Sequence, residues 1–259
     1  MAGYNIMNTA SNLEGRLNMT DFHFEKKSVG VFETNCYYIV CGKTQEVAIV
    51  DPGACGHQIV AKMELAGWKP TMILNTHGHW DHIGDNKFLQ EAFDIPIFIH
   101  EADLPCLADK HLSMADWMSS DGSCDGGVCK KPLLGSETLK LGDIDIQVIH
   151  IPGHSPGSVA FYLPQHHLLF SGDTLYDCCI GCVEIPKTEQ ITMFGIRPRL
   201  IGPTTKEDLP NADCQLLIKS IKEKLFPLSD QTVVYPGHGA KTTIGYEKKY
   251  NPYAKEAKA

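Results

Sequence analysis

Short apolar runs alternate with helical patterns through the first half of the chain. Four runs rich in β-branched and aromatic residues predict strands at residues 37–41, 46–50, 72–75 and 96–100. The first two are joined by the turn-like Gly42-Lys43-Thr44, which indicates a hairpin. Apolar residues at helical spacing predict helical structure at residues 56–68 and 88–93. This half therefore alternates strand and helix.

The second half begins with apolar runs separated only by turn residues. Consecutive antiparallel strands are predicted at residues 144–151, 159–163 and 167–171. Leu217, Ile221 and Leu225 are spaced by four, which predicts a helix over residues 214–226, and a last strand follows at 232–235. This order predicts two mixed β-sheets covered by helices on their outer faces.

The chain shows no repeat and no low-complexity tract that would divide it. We expect a leader at residues 1–20, without assigned structure, and a single domain at residues 21–259. Two segments are expected to be insertions. The segment near 104–132 has Met114, Trp117 and Met118 at helical spacing, and the segment near 177–211 is interrupted by proline and glycine. Long irregular segments of this kind are often functional.

The composition is that of a globular protein: 259 residues, 43% hydrophobic and 21% charged. A net charge of -8 disfavours nucleic acid or an anionic membrane as the main partner, because both require a basic patch. No apolar run at the start could serve as a signal peptide, and none approaches the roughly 20 residues of a membrane span. We expect a cytoplasmic protein.

Residues 76–82, Thr-His-Gly-His-Trp-Asp-His, carry four metal-binding side chains directly after an apolar strand. They are His77, His79, Asp81 and His82. Alternate histidines at a strand end point the same way, and the glycine between them lets the backbone turn. A lone histidine usually contacts only water, but crowding these four groups is unfavourable unless a cation neutralises them. The cluster therefore predicts a metal site.

Three later positions each place one ligand-type residue beside a glycine, just after a β run. They are His154 in PGHSPGS, Asp173 in SGDT and His238 in YPGHG. A site shared by the edges of separate strands is built in this way. Seven ligands are too many for one tetrahedral zinc ion, and they suit two ions with one bridging carboxylate.

Over residues 29–253 the chain resembles the metallo-β-lactamase superfamily, in particular its glyoxalase II-like (hydroxyacylglutathione hydrolase-like) single-domain branch. The motifs that carry the resemblance are DPG at 51–53, THGHWDHIGDN, PGHSPGS, SGDTLY, YPGHG and TTIGYEKKYNP. The resemblance implies an α/β fold, a four-layer αββα sandwich of two mixed sheets flanked by helices. It also implies that Asp51 orients a ligand histidine.

The resemblance further implies which residues hold each ion. His77, His79 and His154 would hold the first, Asp81, His82 and His238 the second, and Asp173 would bridge the two. The ions would be divalent zinc, with iron or a zinc and iron mixture as alternatives. Asp81 is also the candidate catalytic residue, as a carboxylate that assists proton movements.

Two cations that hold a hydroxide make it nucleophilic at neutral pH, so no serine or cysteine nucleophile is required. The same cations stabilise the oxyanion formed by attack on an ester, thioester or lactone. A thiolate, with a pKa near 8.5, leaves without strong acid assistance, and this favours a thioester over an amide. We therefore expect a hydrolase acting on a small thioester or ester.

Two departures from the resembled branch affect the substrate. Members that hydrolyse glutathione thioesters carry a C-terminal helical region, whereas only positions 239–259 follow His238 here. Partial matches to the expected IGRTDLP-like stretch begin at Ile180 and Ile201, and neither has the arginine. Glutathione recognition is therefore not expected from the resemblance, and the oligomeric state stays open.

The cysteines near the two expected insertions allow two interpretations. A third metal site or a redox pair is one, and ordinary partly buried thiols are the other, which we prefer. These cysteines are Cys124, Cys129, Cys178, Cys179 and Cys182.

Two rival functions come from other classes. One is a mononuclear iron enzyme like the persulfide dioxygenases of the same superfamily, and the other is a non-enzymatic metal-binding regulator. The full set of seven candidate ligands favours two ions over one.

Overall fold

The computed structural model of the protein describes residues 22–119, 122–181 and 209–255, and two β-sheets form its centre. The first sheet has the strand order β1-β2-β3-β4-β5. β1 to β3 are antiparallel neighbours, and β3 to β5 are parallel neighbours. The strands are β1 (Phe22–Val29), β2 (Thr34–Cys41), β3 (Glu46–Val50), β4 (Lys69–Leu74) and β5 (Ile97–Phe98).

The second sheet has six strands, and β10 (Leu175–Tyr176) and β11 (Cys179–Ile180) form a separate small hairpin. In chain order the six are β6 (Thr138–Leu141), β7 (Ile144–His150), β8 (Val159–Leu163), β9 (Leu168–Gly172), β12 (Val233–Pro236) and β13 (Thr242–Thr243). Their spatial order is β13-β12-β9-β8-β7-β6, with β12 parallel to β9 and the other pairs antiparallel. Both sheets are therefore mixed.

Short helices and turns connect the strands. The α-helices are α1 (Gly56–Ala66), α2 (Trp80–Ile83), α3 (Asn86–Phe93), α4 (Ala115–Met118), α5 (Cys214–Ser220), α6 (Ile244–Tyr250) and α7 (Pro252–Lys255). Glu101–Leu107 and Pro164–His166 are 3₁₀ helices, and Ile221–Leu225 is a π-helical turn. Within the described ranges, no helix combines the length and apolar character that crossing a bilayer requires.

Successive side chains of a strand face opposite sides of the sheet. The residues of β2 therefore contact both the core between the sheets and the helices outside the first sheet. Tyr37 and Ile39 enter the cluster between the sheets, together with Phe161 and Phe170 of the second sheet. Tyr38 instead packs in the outer cluster that includes residues of α1 and α3. A third cluster joins the second sheet to α5 and the π turn. The fold is the expected αββα sandwich.

Several elements of the structure were not predicted from the sequence, and one predicted helix has a different form. β1 was not predicted because charged side chains interrupt its apolar alternation, and β6 was not predicted because it contains only two apolar residues. The helix predicted over residues 214–226 is present as α5 followed by the π turn, so its four-residue spacing does not continue as a regular α-helix. Residues 1–20 and most of the segment near 177–211 lie outside the described ranges.

One edge of the sandwich collects the carboxyl ends of five strands. β3 and β4 are parallel in the first sheet, and β7, β9 and β12 run in one direction in the second. Asp51 follows β3, His77 and His79 follow β4, and the remaining candidates follow strands of the second sheet or lie on α2. The topology therefore brings residues that are distant in sequence to one place.

Candidate metal centre

Three histidines from two loops converge at this edge. The Nδ1 atom of His79 lies 3.0 Å from Nε2 of His77 and 3.0 Å from Nε2 of His154. The two Nε2 atoms are 3.3 Å apart. All three side chains are buried. Three ring nitrogens therefore face one point that bulk water does not reach.

These three nitrogens cannot all form hydrogen bonds with one another. Each neutral ring nitrogen either carries a proton or presents a lone pair. Among three nitrogens at least two are alike, so at least one of the three contacts sets donor against donor or acceptor against acceptor. A cation removes this conflict, because all three can then present lone pairs to it. Nitrogens around a tetrahedral zinc ion would lie roughly 3.3 Å apart, which is close to the observed spacing.

A second group of donors lies next to the first. His238 Nε2 is 3.2 Å from Asp81 Oδ2, and His82 Nε2 is 3.4 Å from the same oxygen. Asp173 lies between the two groups: its Oδ1 is 3.4 Å from His82 Nε2, and its Oδ2 is 3.7 Å from His154 Nε2. The structure thus brings all seven sequence-predicted residues together, as two triads joined by Asp173.

Protonation differs between the two triads. Burial and the neighbouring His154 lower the pKa of His79 to about 3, and burial followed by His82 lowers the pKa of His77 well below its usual value. At neutral pH these two imidazoles are therefore uncharged, which is the form that a metal ion binds.

In the second triad the balance is reversed. Burial alone would lower the pKa of His82, but Asp81 and Asp173 together raise it above its usual value. Burial would raise the pKa of Asp81, yet His82 and His238 lower it. Here the negative carboxylates and the protonated imidazoles neutralise one another. A divalent cation could neutralise the carboxylates in place of the imidazole protons.

Further residues fix the orientation of these donors. Asp51 Oδ2 lies 3.0 Å from Nδ1 of His82, and the same carboxylate accepts hydrogen bonds from the backbone N–H and the hydroxyl of Thr76. The backbone carbonyl of Phe32 lies 3.1 Å from Nδ1 of His238, and Thr34 donates from Oγ1 to Asp81 Oδ2 at 2.9 Å. Asp51 was expected in such a role. Phe32 and Thr34 were not, because the sequence has no motif that marks them.

The donor set is suited to metal ions for a further reason. Asp173 Oδ1 and His82 Nε2 are buried and 3.4 Å apart, yet neither forms a hydrogen bond of normal geometry with any group in the described ranges. Buried polar atoms are rarely left in this state, because losing a partner costs about 1–3 kcal/mol. Imidazole nitrogens and carboxylate oxygens are the ligands that zinc and iron take. The site can therefore hold two such ions.

None of the described cysteines belongs to the two triads, although Cys106 packs against Gly78 between His77 and His79. All nine in the described ranges are free thiols, and Cys182 lies outside those ranges. Asp177, Cys178 and Glu247 are close enough to suggest a third site. The buried Glu247 carboxylate, however, already accepts from the backbone of Cys178 and from the side chains of Thr242 and Asn251. These contacts fit a structural role.

Comparison with known sequences identifies the family. A family model described as "Metallo-beta-lactamase superfamily" matches residues 29–238. A probable metallo-hydrolase, YqgX of Bacillus subtilis, is 31% identical, with 89% of this chain and 96% of that protein covered. Hydroxyacylglutathione hydrolase GloC of Haemophilus influenzae is 29% identical, with 87% and 94% covered.

Solved structures give the same picture. The BLEG-1 B3 metallo-beta-lactamase has a TM-score of 0.77 and 30% identity, over 90% of this chain and 100% of that one. TTHA1623, crystallised in a di-iron-bound form, has a TM-score of 0.69 and 31% identity, over 88% and 99%. ETHE1 of Myxococcus xanthus has a TM-score of 0.65 at 22% identity, covers 90% and 84%, and shares the fold.

Proposed function

The chain belongs to the metallo-beta-lactamase superfamily, and from this premise we propose that it is a metal-dependent hydrolase of small thioesters or esters. The single observation that carries the proposal is the arrangement of the donors as two triads joined by Asp173. A site for one ion would have no use for the second triad. Its three members would only leave buried charge to be compensated.

The ligand roles follow from the two groups. His77, His79 and His154 would hold one ion, Asp81, His82 and His238 would hold the other, and Asp173 would lie between both. We propose divalent zinc in both positions, with iron or a zinc and iron pair as the alternative. The di-iron form of TTHA1623 supports the alternative, since that protein is 31% identical to this chain.

When bound, two divalent ions lower the pKa of a water molecule from about 15.7 toward 7 and draw charge from an acyl carbonyl. The chain's own residues arrange and complete this chemistry. Thr34 holds Oδ2 of Asp81 by a hydrogen bond, so the carboxylate keeps one orientation. We assign to the Asp81 carboxylate the acceptance of the proton that the attacking water releases.

The substrate class follows from the leaving group. Apart from Asp81, we assign no residue a role in proton transfer, and this favours a leaving group that departs without a separate general acid. A thiolate meets that condition because its conjugate acid has a pKa near 8.5. GloC supports a thioester in particular, since a protein named hydroxyacylglutathione hydrolase aligns over 94% of its length. A small molecule is the proposed partner, and the net charge of -8 argues against nucleic acid.

A mononuclear iron dioxygenase acting on a persulfide is the second candidate. Its support is the shared fold with ETHE1, and at 22% identity this likeness concerns the fold alone. A third candidate, a metal-binding regulator, would share the same donors but show no turnover. The second triad favours the dinuclear hydrolase over the mononuclear iron dioxygenase.

The test combines metal analysis with a substrate panel. Protein purified without added metal is analysed for zinc and iron, and it is then assayed on thioesters including S-lactoylglutathione, on esters and on lactones. The proposal predicts two ions per chain and thioester hydrolysis. One iron per chain with oxygen uptake on a persulfide would establish the dioxygenase instead. Two ions with no hydrolysis anywhere in the panel would favour the regulator.

A further inference from the structure

A buried carboxylate outside the seven candidate ligands connects the two loops of the first triad. Asp103 lies on the 3₁₀ helix Glu101–Leu107, and its side chain is fully buried. It is 21 residues or more from every ligand in sequence, the nearest being His82. In space it lies between the loop that carries His77 and His79 and the loop that carries His154.

Three hydrogen bonds hold this carboxylate, and they come from both loops. The backbone N–H of Gly78, between the two histidines of the first loop, donates to Oδ2 at 2.9 Å. From the second loop, the backbone N–H of Gly157 donates to Oδ1 at 2.7 Å and the Ser155 hydroxyl donates to Oδ2 at 2.7 Å. Asp103 is therefore a direct link between the two loops.

Only a carboxylate of this length can form both backbone links. Each of its two oxygens accepts from a different backbone N–H, so both atoms must be acceptors. An asparagine amide would turn an NH₂ group toward either Gly78 or Gly157 and would lose that contact. The backbones also approach closely, because a Cβ atom on Gly157 would lie only 2.7 Å from the backbone nitrogen of Asp103.

We propose that Asp103 is a positioning residue that sets the distance between the His77–His79 loop and the His154 loop. It thereby builds the first metal site and leaves the second largely unaffected. His82 and His238 are oriented by other groups, namely Asp51 and the Phe32 carbonyl. This inference rests on the proposed function, because it assumes that the first triad holds an ion.

The test compares Asp103→Asn with wild-type protein by titration of Co²⁺ into metal-free samples. Visible absorption reports the total bound cobalt, and the paramagnetically shifted NMR signals of the ligand imidazoles distinguish the site with three histidines from the site with two. We expect the ion of the three-histidine site to bind about 10- to 100-fold more weakly in the variant, as for other residues that orient ligands. The second ion should bind as in the wild type. Hydrolysis lost at low metal should return with excess metal, since every ligand is still present.

Glu247→Gln is the matched control. Glu247 is also a fully buried carboxylate with three donors, but it connects the Cys178 turn to α6. Its substitution should lower the melting temperature of the metal-free protein without selective loss at the three-histidine site. Equal weakening of that site in both variants would show that Asp103 acts through general stability, and the inference would be wrong.

Two further outcomes distinguish an error in the proposed function from an error in the role of Asp103. A wild type that binds no cobalt would refute the proposed function itself. A wild type with two cobalt ions and an Asp103→Asn variant with unchanged affinity at both sites would refute only the role of Asp103. If Asp103→Asn does not fold, Ser155→Ala removes one of the three hydrogen bonds and keeps the carboxylate. Unchanged affinity of the three-histidine site in that variant would overturn the inference.

Discussion

Individual side chains around the candidate site are arranged for a bound cation rather than for one another. The nitrogens of His77, His79 and His154 lie within 3.3 Å of each other, where they cannot all be satisfied by hydrogen bonds. Asp51 fixes one ligand of the second triad through its contact with His82. Groups that orient ligands in this way are expected to affect metal affinity nearly as strongly as the ligands.

Asp51→Asn should weaken metal binding about 10- to 100-fold and lower hydrolysis in parallel. The asparagine amide has one accepting oxygen where the carboxylate has two. It therefore cannot accept from His82 and from both donors of Thr76 at once. Metal titration monitored by calorimetry measures the effect. Asp143→Asn is the control, because Asp143 is exposed and pairs only with Lys43 among the described contacts. Equal affinity in the two variants would contradict the assigned role.

His100 gives a pH dependence of stability that can be tested apart from the metals. Its Nδ1 accepts from the backbone N–H of Ala102 at 3.2 Å, at the start of the 3₁₀ helix that carries Asp103. Burial, and then the stacked His150, lowers the pKa of His100. The folded state therefore binds this proton less readily than the unfolded state. The unfolding free energy that uncharged His100 contributes is therefore fully present above a pH of about 6.5. It is lost as the pH falls below that value.

His100→Asn should reduce this dependence, because the Asn oxygen can accept from Ala102 at any pH. Urea unfolding of the metal-free proteins between pH 7.5 and 5.5 measures it. The wild type should lose more unfolding free energy over this interval than the variant. Identical losses would show that His100 does not contribute.

The seven candidate ligands could be identified from the sequence at this scale, whereas Asp51 alone among the residues that orient them could be. Each ligand lies in a short motif that follows an apolar run, so its position in the sequence identifies it. Asp103 is one of three acidic residues between positions 101 and 109, and only its place between two loops distinguishes it. Phe32 contributes a backbone carbonyl, which any residue type could supply.

Secondary-structure elements place the ligands through close backbone contacts. Helix α2 carries Asp81 and His82, and its backbone lies directly against the turn that follows β3. A Cβ atom on Gly53 of that turn would lie 1.5 Å from the carbonyl oxygen of Asp81. The short DPG turn and the ligand helix are therefore packed as one unit.

Gly53→Ala should displace α2 and selectively weaken the second metal site. Overpacking of this kind costs roughly 1–3 kcal/mol of stability, and here the displaced backbone belongs to a ligand segment. Gly67→Ala is the control, because Gly67 also resists a side chain, through its φ of 68°, but has nothing within 4 Å of an added Cβ. Cobalt titration measures the affinity of the second site in both variants. Equal affinities would show that Gly53 does not position α2.

The order of elements could be predicted from periodicity, and their fine structure could not. The strands 37–41 and 46–50 and the helix near 56–68 appear where their patterns place them. β1 was missed because Glu25, Lys26 and Lys27 obscure the alternation of its aromatic residues. The π turn after α5 depends on tertiary packing, to which a spacing of four residues gives no guide.

The whole molecule acts as a frame that brings the ends of five strands together. A buried cluster joins the inner faces of the two sheets, and Phe161 and Phe170 of the second sheet pack there against Tyr37 of the first. The triads take members from both sheets, so a bound ion would connect the two halves of the sandwich. Ions that bind only the folded state must therefore also stabilise it.

Removal of the metals should lower the melting temperature of the whole protein. Free metal at about a thousand times its dissociation constant contributes roughly 4 kcal/mol of stability. For a chain of this size that corresponds to a shift on the order of 10 °C. Calorimetric scans before and after treatment with a chelator measure the change, and re-addition of zinc should restore the original value. An unchanged melting temperature after complete metal removal would contradict the linkage.

The claim on which the account depends is that seven side chains hold two ions. A crystal structure of the metal-loaded protein, with anomalous scattering measured at the absorption edge of the metal, tests it most directly. The account predicts two peaks in the anomalous map, one within His77, His79 and His154 and one within Asp81, His82 and His238, with Asp173 between them. A single peak, or peaks that avoid either triad, would contradict it.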